Sequence, residues 1–183
     1  SPYDILLNRD GGREGIEGLR EGAAVGTSSM RRGAQLRRAR PDLQILSLRG
    51  NLQTRLAKLD RGDFDAIVLA EAGLERMGLE MDYARLDAER FVPSANQGTI
   101  IVVAGKGTAA EQHSRALDHS PTRTETMIER RILETVGGGC VVPMAVHACA
   151  SGGSRSMRSQ AVPISLASSV IRWRRSSNRL AAP

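Results

Sequence analysis

The sequence predicts an α/β fold of the doubly wound class, followed by a partial small α+β unit. Between residues 23 and 104, short apolar runs alternate with segments of helical periodicity, and Ser, Pro or Gly residues stand at the helix boundaries. Strands that alternate with helices in this way are typical of a mostly parallel sheet with helices on both of its faces.

Four apolar runs are expected to form the strands of this sheet: Ala24 to Gly26, Gln44 to Leu48, Asp65 to Ala70 and Thr99 to Ala104. Each is three to six residues long and is bounded by polar or turn-forming residues. The length and composition of the last two favour burial on both faces of the sheet.

The helices between these strands carry their own start and stop signals. Ser28 or Ser29 can cap the first helix, and Pro41 marks its end. The second helix ends before Gly62. Three leucines lie on one face of that second helix: Leu52, Leu56 and Leu59. A short third helix is expected over residues 72–77.

A second unit is expected to begin near residue 120. Pro121 suits the first turn of a helix, and Thr122 with Glu125 has the spacing of a capping box. An apolar stripe follows at Ile128, Ile132 and Val136. Three glycines at 137–139 end this helix, and a strand is expected over 141–148.

The net charge of +6 is confined to the end of the chain. After Ala150 there are six arginines and no Asp, Glu or Lys, so the rest of the chain is electrically neutral. Aromatic residues, at 3%, are too few for the stacking platforms that bind single-stranded nucleic acid. Because periodicity is also weak over 151–183, we expect this tail to be non-native sequence or, alternatively, a disordered basic tail.

Hydroxyl and guanidinium groups gather over residues 26–32, where the first helix begins. Free amides and the positive end of the helix dipole favour a carboxylate or phosphate there, and Arg31 and Arg32 can each grip a carboxylate through paired hydrogen bonds. Two arginines at a helix start oppose the dipole, and a bound anion would offset that cost. The alternative is a capped helix with a solvated basic face.

Arginines follow the next two strands as well. Arg49 comes at the carboxyl end of the second strand, Arg55 lies about one turn into the next helix, and Arg76 follows the third strand. Ligands of doubly wound sheets gather at the carboxyl ends of the strands. Four or five arginines at one rim predict a polycarboxylate ligand, although each taken singly is more often a surface residue.

Cys140 follows three glycines, in a loop where other groups can approach its sulfur closely. It is a candidate nucleophile or covalent attachment point, and the alternative is a packed thiol. Neither its spacing from Cys149 nor that of the three histidines suits a metal, so no metal site is expected. No apolar run reaches the ~20 residues of a membrane span, which makes a cytoplasmic protein the expectation.

Four segments, in this order, resemble the porphobilinogen deaminase (hydroxymethylbilane synthase) family: GTSSMRR, LSLRGNLQTRLAKLDRGDFDAIVLAEAGLERMGL, NQG and ERRILETVGGGCVVPMAVHA. The resemblance covers roughly residues 5–150. It implies a transferase of haem biosynthesis that joins four porphobilinogen units, with loss of ammonia, on a dipyrromethane primer. It also implies lobes built like those of periplasmic binding proteins.

The resemblance assigns roles to individual residues. Cys140 is implied to hold the dipyrromethane cofactor through a thioether. The carboxylates of that cofactor are implied to contact Ser28, Ser29, Arg31, Arg32, Arg49 and Gly50. Substrate-binding residues are implied to be Arg55, Arg76 and Gln97. Arginine suits these roles because every pyrrole unit carries an acetate and a propionate.

The resemblance also divides the chain. Residues 1–97 are expected to form the family's central lobe, 98–119 a crossover belonging to its first lobe, and 120–150 the start of its C-terminal lobe. The family's N-terminal lobe bears the catalytic aspartate. We expect this chain to lack that lobe and to have an aberrant C-terminal end, and therefore to show little or no catalysis alone. Asn96 stands where the family has a glycine, which bears on the local backbone geometry.

Two other function classes remain open at this point. A non-catalytic polycarboxylate-binding module of the periplasmic-binding-protein type would need the anion contacts but no special cysteine. A nucleic-acid binder is the weaker alternative, because its basic charge would lie only in the tail. The expected partners are porphobilinogen and the growing linear pyrrole chain, with no nucleic acid and no membrane, and the expected state is a monomer.

Overall fold

The computed structural model describes residues 1–136, 144–150, 157–163 and 171–173. Its larger sheet has the strand order β3-β2-β4-β1-β5. The strands are β1 (Asp4–Asn8), β2 (Ala24–Gly26), β3 (Gln44–Leu46), β4 (Ala66–Ala70) and β5 (Ala84–Arg85). The helices that follow β2, β3 and β4 are α1 (Met30–Ala39), α2 (Leu52–Asp60) and α3 (Glu71–Met77).

The sheet is mixed, which corrects the expectation of a mostly parallel one. Strand β2 runs parallel to β3 and β4, as predicted. Strand β1, which the sequence analysis did not identify, runs antiparallel to both β4 and β5. Its apolar run, residues 5–7, is almost fully buried because β1 lies inside the sheet with helices or loops over both faces.

Successive side chains of the central strands point to opposite faces, and each face has its own core. Leu6 and Val68 pack with Leu36 of α1 on one face. Ile5 and Ile67 pack on the other face with side chains from α2 and α3, namely Leu59 and Leu74. The sheet is therefore covered by helices on both faces, as the alternation of strands and helices predicted.

The start and end of α1 and the end of α2 agree with the sequence signals, and the structure shows two further caps. Ser29 caps α1, where its side chain accepts a hydrogen bond from the Arg32 amide. Asn51 caps α2 in the same way, with its side-chain oxygen 2.8 Å from the Thr54 amide nitrogen. Gly78 ends α3 with a φ of 61°, a left-handed conformation that suits glycine.

Residues 99–104 form no strand, so the prediction of a buried strand there is wrong. Ile100, Ile101, Val102 and Val103 are 76%, 68%, 55% and 88% exposed. Within the described parts of the chain, no strand pairs with this segment. Apolar composition alone supplies no partners for its backbone amides and carbonyls, and a strand needs those partners.

The second unit contains α4 (Ala109–Ser114), α5 (Ser120–Val136), β6 (Met144–Ala150), β7 (Met157–Pro163) and β8 (Ile171–Trp173). The three strands form an antiparallel sheet in the order β6-β7-β8. Two segments of the tail over 151–183 are thus strands, while its non-native origin stays a prediction. No helix of the described residues is both long enough and apolar enough to span a membrane.

Helix α5 begins earlier than the predicted capping box requires. Thr122 lies inside the first turn, and its hydroxyl is 2.8 Å from Nδ1 of His119. The helix starts at Ser120, so Thr122 cannot serve as the residue before it. The cap predicted from Thr122 and Glu125 is therefore wrong, although the helix itself is confirmed.

A buried glutamate joins the second unit to the first. Glu129 of α5, 5% exposed, accepts hydrogen bonds from the amides of Asn96 (2.6 Å) and Ala148 (2.8 Å). The Val146 amide also donates to the Pro93 carbonyl at 3.2 Å. The loop over residues 93–98 is thus held between the large sheet and the α5–β6 unit.

Asn96 has a φ of 58°, which is a left-handed conformation of the kind that glycine adopts easily. Asparagine tolerates this region better than most residues, because its short polar side chain can hydrogen-bond locally. Alanine lacks that side chain, and its β-carbon makes this conformation less stable by roughly 1–2 kcal/mol. We expect Asn96→Ala to lower the free energy of unfolding by about 1 kcal/mol and Asn96→Gly to leave it unchanged or raise it. Urea unfolding followed by circular dichroism measures both. An alanine variant as stable as the glycine variant would contradict the assigned conformation.

Acid should destabilise the fold by protonating carboxylates that accept hydrogen bonds from arginine side chains or backbone amides. Hydrogen bonds from Arg40 lower the pKa of Asp42 to about 2, and the Ala24 amide lowers the pKa of Asp65. Because both pKa values are depressed in the folded chain, their stabilising effect is complete above pH ~4 and is lost as the pH falls toward 2. Thermal unfolding midpoints should be flat from pH 7 to pH 5 and fall below pH 4. In Asp42→Asn the fall should be shallower, and equal slopes in both proteins would refute this assignment.

Candidate functional site

The loops after β2 and β3 meet at one edge of the sheet. Ser28 follows β2, and its hydroxyl donates to the Leu48 carbonyl at 2.5 Å. The same hydroxyl is 3.4 Å from that of Ser47, which follows β3. The carboxyl ends of these parallel strands therefore lie side by side, as the sequence predicted, and they bring the start of α1 next to the loop that carries Arg49.

A buried carboxylate holds both arginines of the first turn of α1. Asp4 of β1 is 0% exposed. Its Oδ2 accepts a hydrogen bond from Nη1 of Arg31 at 2.7 Å. Its Oδ1 accepts from Nε and Nη2 of Arg32, at 2.9 and 2.7 Å. Nε2 of Gln97 donates to the same oxygen at 2.9 Å. We call these four residues the Asp4 cluster.

Arg31 is the more deeply buried of the two arginines, at 6% exposure. Besides Asp4, it donates to the Val92 carbonyl at 2.6 Å and to Oε1 of Gln97 at 3.2 Å. Burial lowers the pKa of Arg31, and the Asp4 charge opposes that effect. The guanidinium therefore stays paired inside the protein. The ligand-binding roles of Arg31 and Arg32 stay predictions, since both are seen here on an internal carboxylate.

Arg49, Gly50 and Arg55 form a second basic group on the loop after β3 and on α2. Nε of Arg55 donates to the Gly50 carbonyl at 2.8 Å, and Nζ of Lys58 donates to the Arg49 carbonyl at 3.1 Å. Gly50 has a φ of 119°, and a β-carbon there would lie only 2.7 Å from the Thr54 side chain. Glycine is therefore required, and the exposed Arg49 guanidinium has no hydrogen-bond partner among the described residues.

The remaining predicted site residues are not joined to these groups. Arg76 is exposed in the last turn of α3, and none of the side-chain hydrogen bonds or ion pairs of the described residues involves it. Cys140 lies outside the described residues. Cys149, at the end of β6, is an exposed free thiol.

Sequence reasoning missed Asp4 and Lys58. Asp4 directly precedes the apolar run of residues 5–7. If that run forms a buried strand, the carboxylate needs a cationic partner, and this position in the sequence was the available signal. For Lys58 the signal was its position three residues after Arg55, because residues three apart share a helix face.

The fold and site define an α/β protein whose sheet has an arginine-lined edge. The family model described as "Porphobilinogen deaminase, dipyromethane cofactor binding domain" matches residues 1–113. Because this match covers more than half of the chain, the chain belongs to the porphobilinogen deaminase family.

Named relatives agree with this family. A "Probable porphobilinogen deaminase" of Methanococcoides burtonii is 53% identical over 148 residues, which are 81% of this chain and 47% of the relative. One of Archaeoglobus fulgidus is 50% identical over 150 residues, 81% of this chain and 50% of the relative. A "Porphobilinogen deaminase" of Rubrobacter xylanophilus is 41% identical over 152 residues, which are 82% of this chain and 49% of the relative. The chain thus spans about half the length of the curated relatives that it matches.

The residues at the sheet edge fit a cofactor that carries several carboxylates. The exposed Arg49 guanidinium is free to bind one, and the Ser29-capped start of α1 presents the positive end of a helix dipole beside it. The Asp4 cluster contains two guanidiniums and one carboxylate, so it retains a net positive charge. These are the donor groups that acetate and propionate side chains require.

Proposed function

We propose that this chain is part of a hydroxymethylbilane synthase, which condenses four porphobilinogen units stepwise, with loss of ammonia, on a dipyrromethane primer. Its role in that enzyme is to hold the carboxylates of the primer and of the growing linear pyrrole chain. The observation that carries the proposal is the single sheet edge that holds Ser28, Arg32 and Arg49, in a chain that belongs to this family.

The proposed contacts divide into two sets. The primer supplies the terminal pyrrole carbon to which a new unit is joined. The residues proposed to hold its carboxylates are Ser28, Ser29, Arg31, Arg32, Arg49 and Gly50. Those proposed to bind substrate carboxylates are Arg55, Arg76 and Gln97. Arginine binds a carboxylate through two parallel hydrogen bonds, and several such contacts fix both the position and the tilt of a pyrrole ring.

We infer that this chain alone has little or no catalytic activity. Loss of ammonia calls for a carboxylate that can touch the substrate. Asp4 and Glu71 both lie at this edge and are fully buried. Two guanidiniums bind Asp4, while Tyr83 and Arg85 bind Glu71, so neither carboxylate is available for that task. We propose that the family's catalytic aspartate comes from another part of the enzyme.

The finer architecture and setting are proposals as well. We propose that residues 1–97 form a lobe of the periplasmic-binding-protein type. The antiparallel β1 supports this. It precedes the β2-α1-β3-α2-β4 units in the chain and pairs with β4 at the side of their parallel strands. We also propose a cytoplasmic monomer that binds neither nucleic acid nor membrane, and sedimentation analysis would test the monomer.

The attachment of the primer can be tested at Cys140. Residues 1–150 would replace the matching half of the Methanococcoides burtonii relative, and the chimera would be incubated with porphobilinogen. We expect intact-mass spectrometry to show a covalently retained dipyrromethane, and Cys140→Ala to lose it completely, because a thioether needs the sulfur.

Cys149→Ala is the matched control, since Cys149 is an exposed thiol nine positions further along the chain. It should retain the adduct. An adduct that persists in Cys140→Ala would refute the assignment of the cysteine. A chimera that binds porphobilinogen reversibly but never covalently would instead favour a non-catalytic binding module.

A further inference from the structure

We propose that Asp4 is a positioning residue, which locks the guanidiniums of Arg31 and Arg32 and so sets how this edge of the sheet meets a ligand carboxylate. The ligand part of this inference rests on the proposed function, while the locking itself does not. Asp4 is proposed to touch neither substrate nor primer and to act only through the two arginines.

The two arginines need an internal anion to stay where they are. They are adjacent in sequence, both lie in the first turn of α1, and their charges oppose the helix dipole. The side chains of Arg31 and Arg32 are only 6% and 11% exposed, so water can screen their mutual repulsion only weakly. Among the described residues, Asp4 is the carboxylate that bonds to both.

Asp4 comes from a rigid element, which makes it suited to fix direction as well as charge. It opens β1 opposite Ala70 of β4, and β1 has paired neighbours on both sides. Groups held by strands inside a sheet are placed more firmly than groups on loops. The position of its carboxylate is therefore set by the sheet, whereas the arginines that it binds have long, flexible side chains.

The hydrogen bonds fix which edge of each guanidinium is occupied. Asp4 takes the Nε–Nη2 edge of Arg32, which leaves its Nη1 side with only a 3.4 Å contact to the Val68 carbonyl. Arg31 is bound through Nη1 to Asp4 and through Nη2 to Gln97. A guanidinium has five N–H donors in one plane. Hydrogen bonds that fix one edge of this plane therefore also fix the direction of the donors on the opposite edge.

Gln97 closes the cluster from a third segment. Its Nε2 donates to Oδ1 of Asp4 at 2.9 Å and to the Pro2 carbonyl at 2.7 Å, while its Oε1 accepts from Arg31. The cluster therefore ties together the start of β1, the start of α1 and the loop over 93–98. With two cations and one anion it has a charge of +1, which calls for one further carboxylate.

The test compares Asp4→Asn with the matched control Asp65→Asn in the full chain. Asp65 also neighbours two arginines, Arg9 and Arg20, but it precedes β4 and so lies at the opposite edge of the sheet. The first readout is the nitrogen-15 NMR signal of the Nε–Hε group of Arg31 and Arg32, assigned with Arg31→Lys and Arg32→Lys. The second is the dissociation constant for porphobilinogen from calorimetry.

In the unmodified chain and in Asp65→Asn, both arginine signals should be dispersed and slow to exchange with water. In Asp4→Asn they should move toward the position of free arginine, and porphobilinogen should bind at least ~10-fold more weakly, the size of effect found when groups that orient metal ligands are removed. Unchanged arginine signals, or binding as tight as before, would overturn the proposal.

Asp4→Glu decides the matter if the asparagine variant does not fold. It keeps the charge and moves the carboxylate by one methylene. A positioning role predicts shifted arginine signals and weaker binding, whereas wild-type signals and affinity in this variant would overturn the proposal. If the unmodified chain binds no porphobilinogen, the proposed function fails, while the arginine signals still decide whether Asp4 locks the guanidiniums.

Discussion

Replacing Asp4 by asparagine is expected to lower the free energy of unfolding by about 3–5 kcal/mol, the usual loss when one partner of a buried ion pair is removed. The carboxylate is 0% exposed and accepts four hydrogen bonds. Asparagine keeps the shape but leaves two largely buried guanidiniums without a counter-charge. Because domains of this size are stable by only about 5–15 kcal/mol, the effect is large. Urea unfolding followed by circular dichroism measures it.

Asp65→Asn is the control for this prediction. Asp65 pairs with Arg20, whose side chain is 67% exposed, and accepts the Ala24 amide. An exposed ion pair and one ordinary hydrogen bond are together worth about 1 kcal/mol. Equal losses in Asp4→Asn and Asp65→Asn would mean that the Asp4 cluster contributes no more than a surface pair.

Replacing Ile67 by alanine is expected to cost about 2–5 kcal/mol, because the deletion leaves a cavity in a fully buried part of β4. Ile67 is 0% exposed and packs between α2, α3 and the neighbouring strands. Chemical unfolding at constant temperature gives the difference directly.

Ile100→Ala makes the same chemical change at a position that is 76% exposed. The side chain has little contact to lose, so the free energy of unfolding should change by about 0.5 kcal/mol or less. A loss like that of Ile67→Ala would show that residues 99–104 are buried after all.

Much of the larger sheet could be predicted because its signals are local. The serine before α1, the proline after it and the glycine after α2 act within one turn of chain. The apolar runs of β2, β3 and β4 have the lengths of strands between helices. What sequence periodicity could not show was pairing, because β1 pairs with residues of β4 that are 58 to 66 positions away.

Residues 5–7 and 99–104 show that apolar composition alone does not predict whether a segment is buried in a sheet. Both runs are apolar, yet one lies in the middle of the sheet and the other is exposed. Composition records only that a segment would gain from burial. Whether it is buried depends on a neighbouring strand that can satisfy its backbone, and nothing within the run itself reveals that neighbour.

The candidate site was predicted in the same partial way. The meeting of the β2 and β3 loops followed from parallel pairing, and Ser28 with Ser47 confirms it. The partner of Arg31 and Arg32 lay 27 and 28 positions away, at the start of an unrecognised strand. The many arginines indicated that an anion binds at this edge. They did not show that one such anion is a carboxylate of the protein itself, that of Asp4.

We propose that this edge of the sheet binds the carboxylates of pyrroles, and titration of the nitrogen-15-labelled chain with porphobilinogen can show whether it does. Porphobilinogen should cause saturable shifts of the Ser28 and Ser29 amides and of the Arg32 and Arg49 side-chain signals, and its binding should weaken as salt rises. Arg37 and Arg38, exposed near the other end of α1, should not respond. Shifts confined to those two arginines, or no saturable shifts at all, would mean that this edge does not bind pyrrole carboxylates.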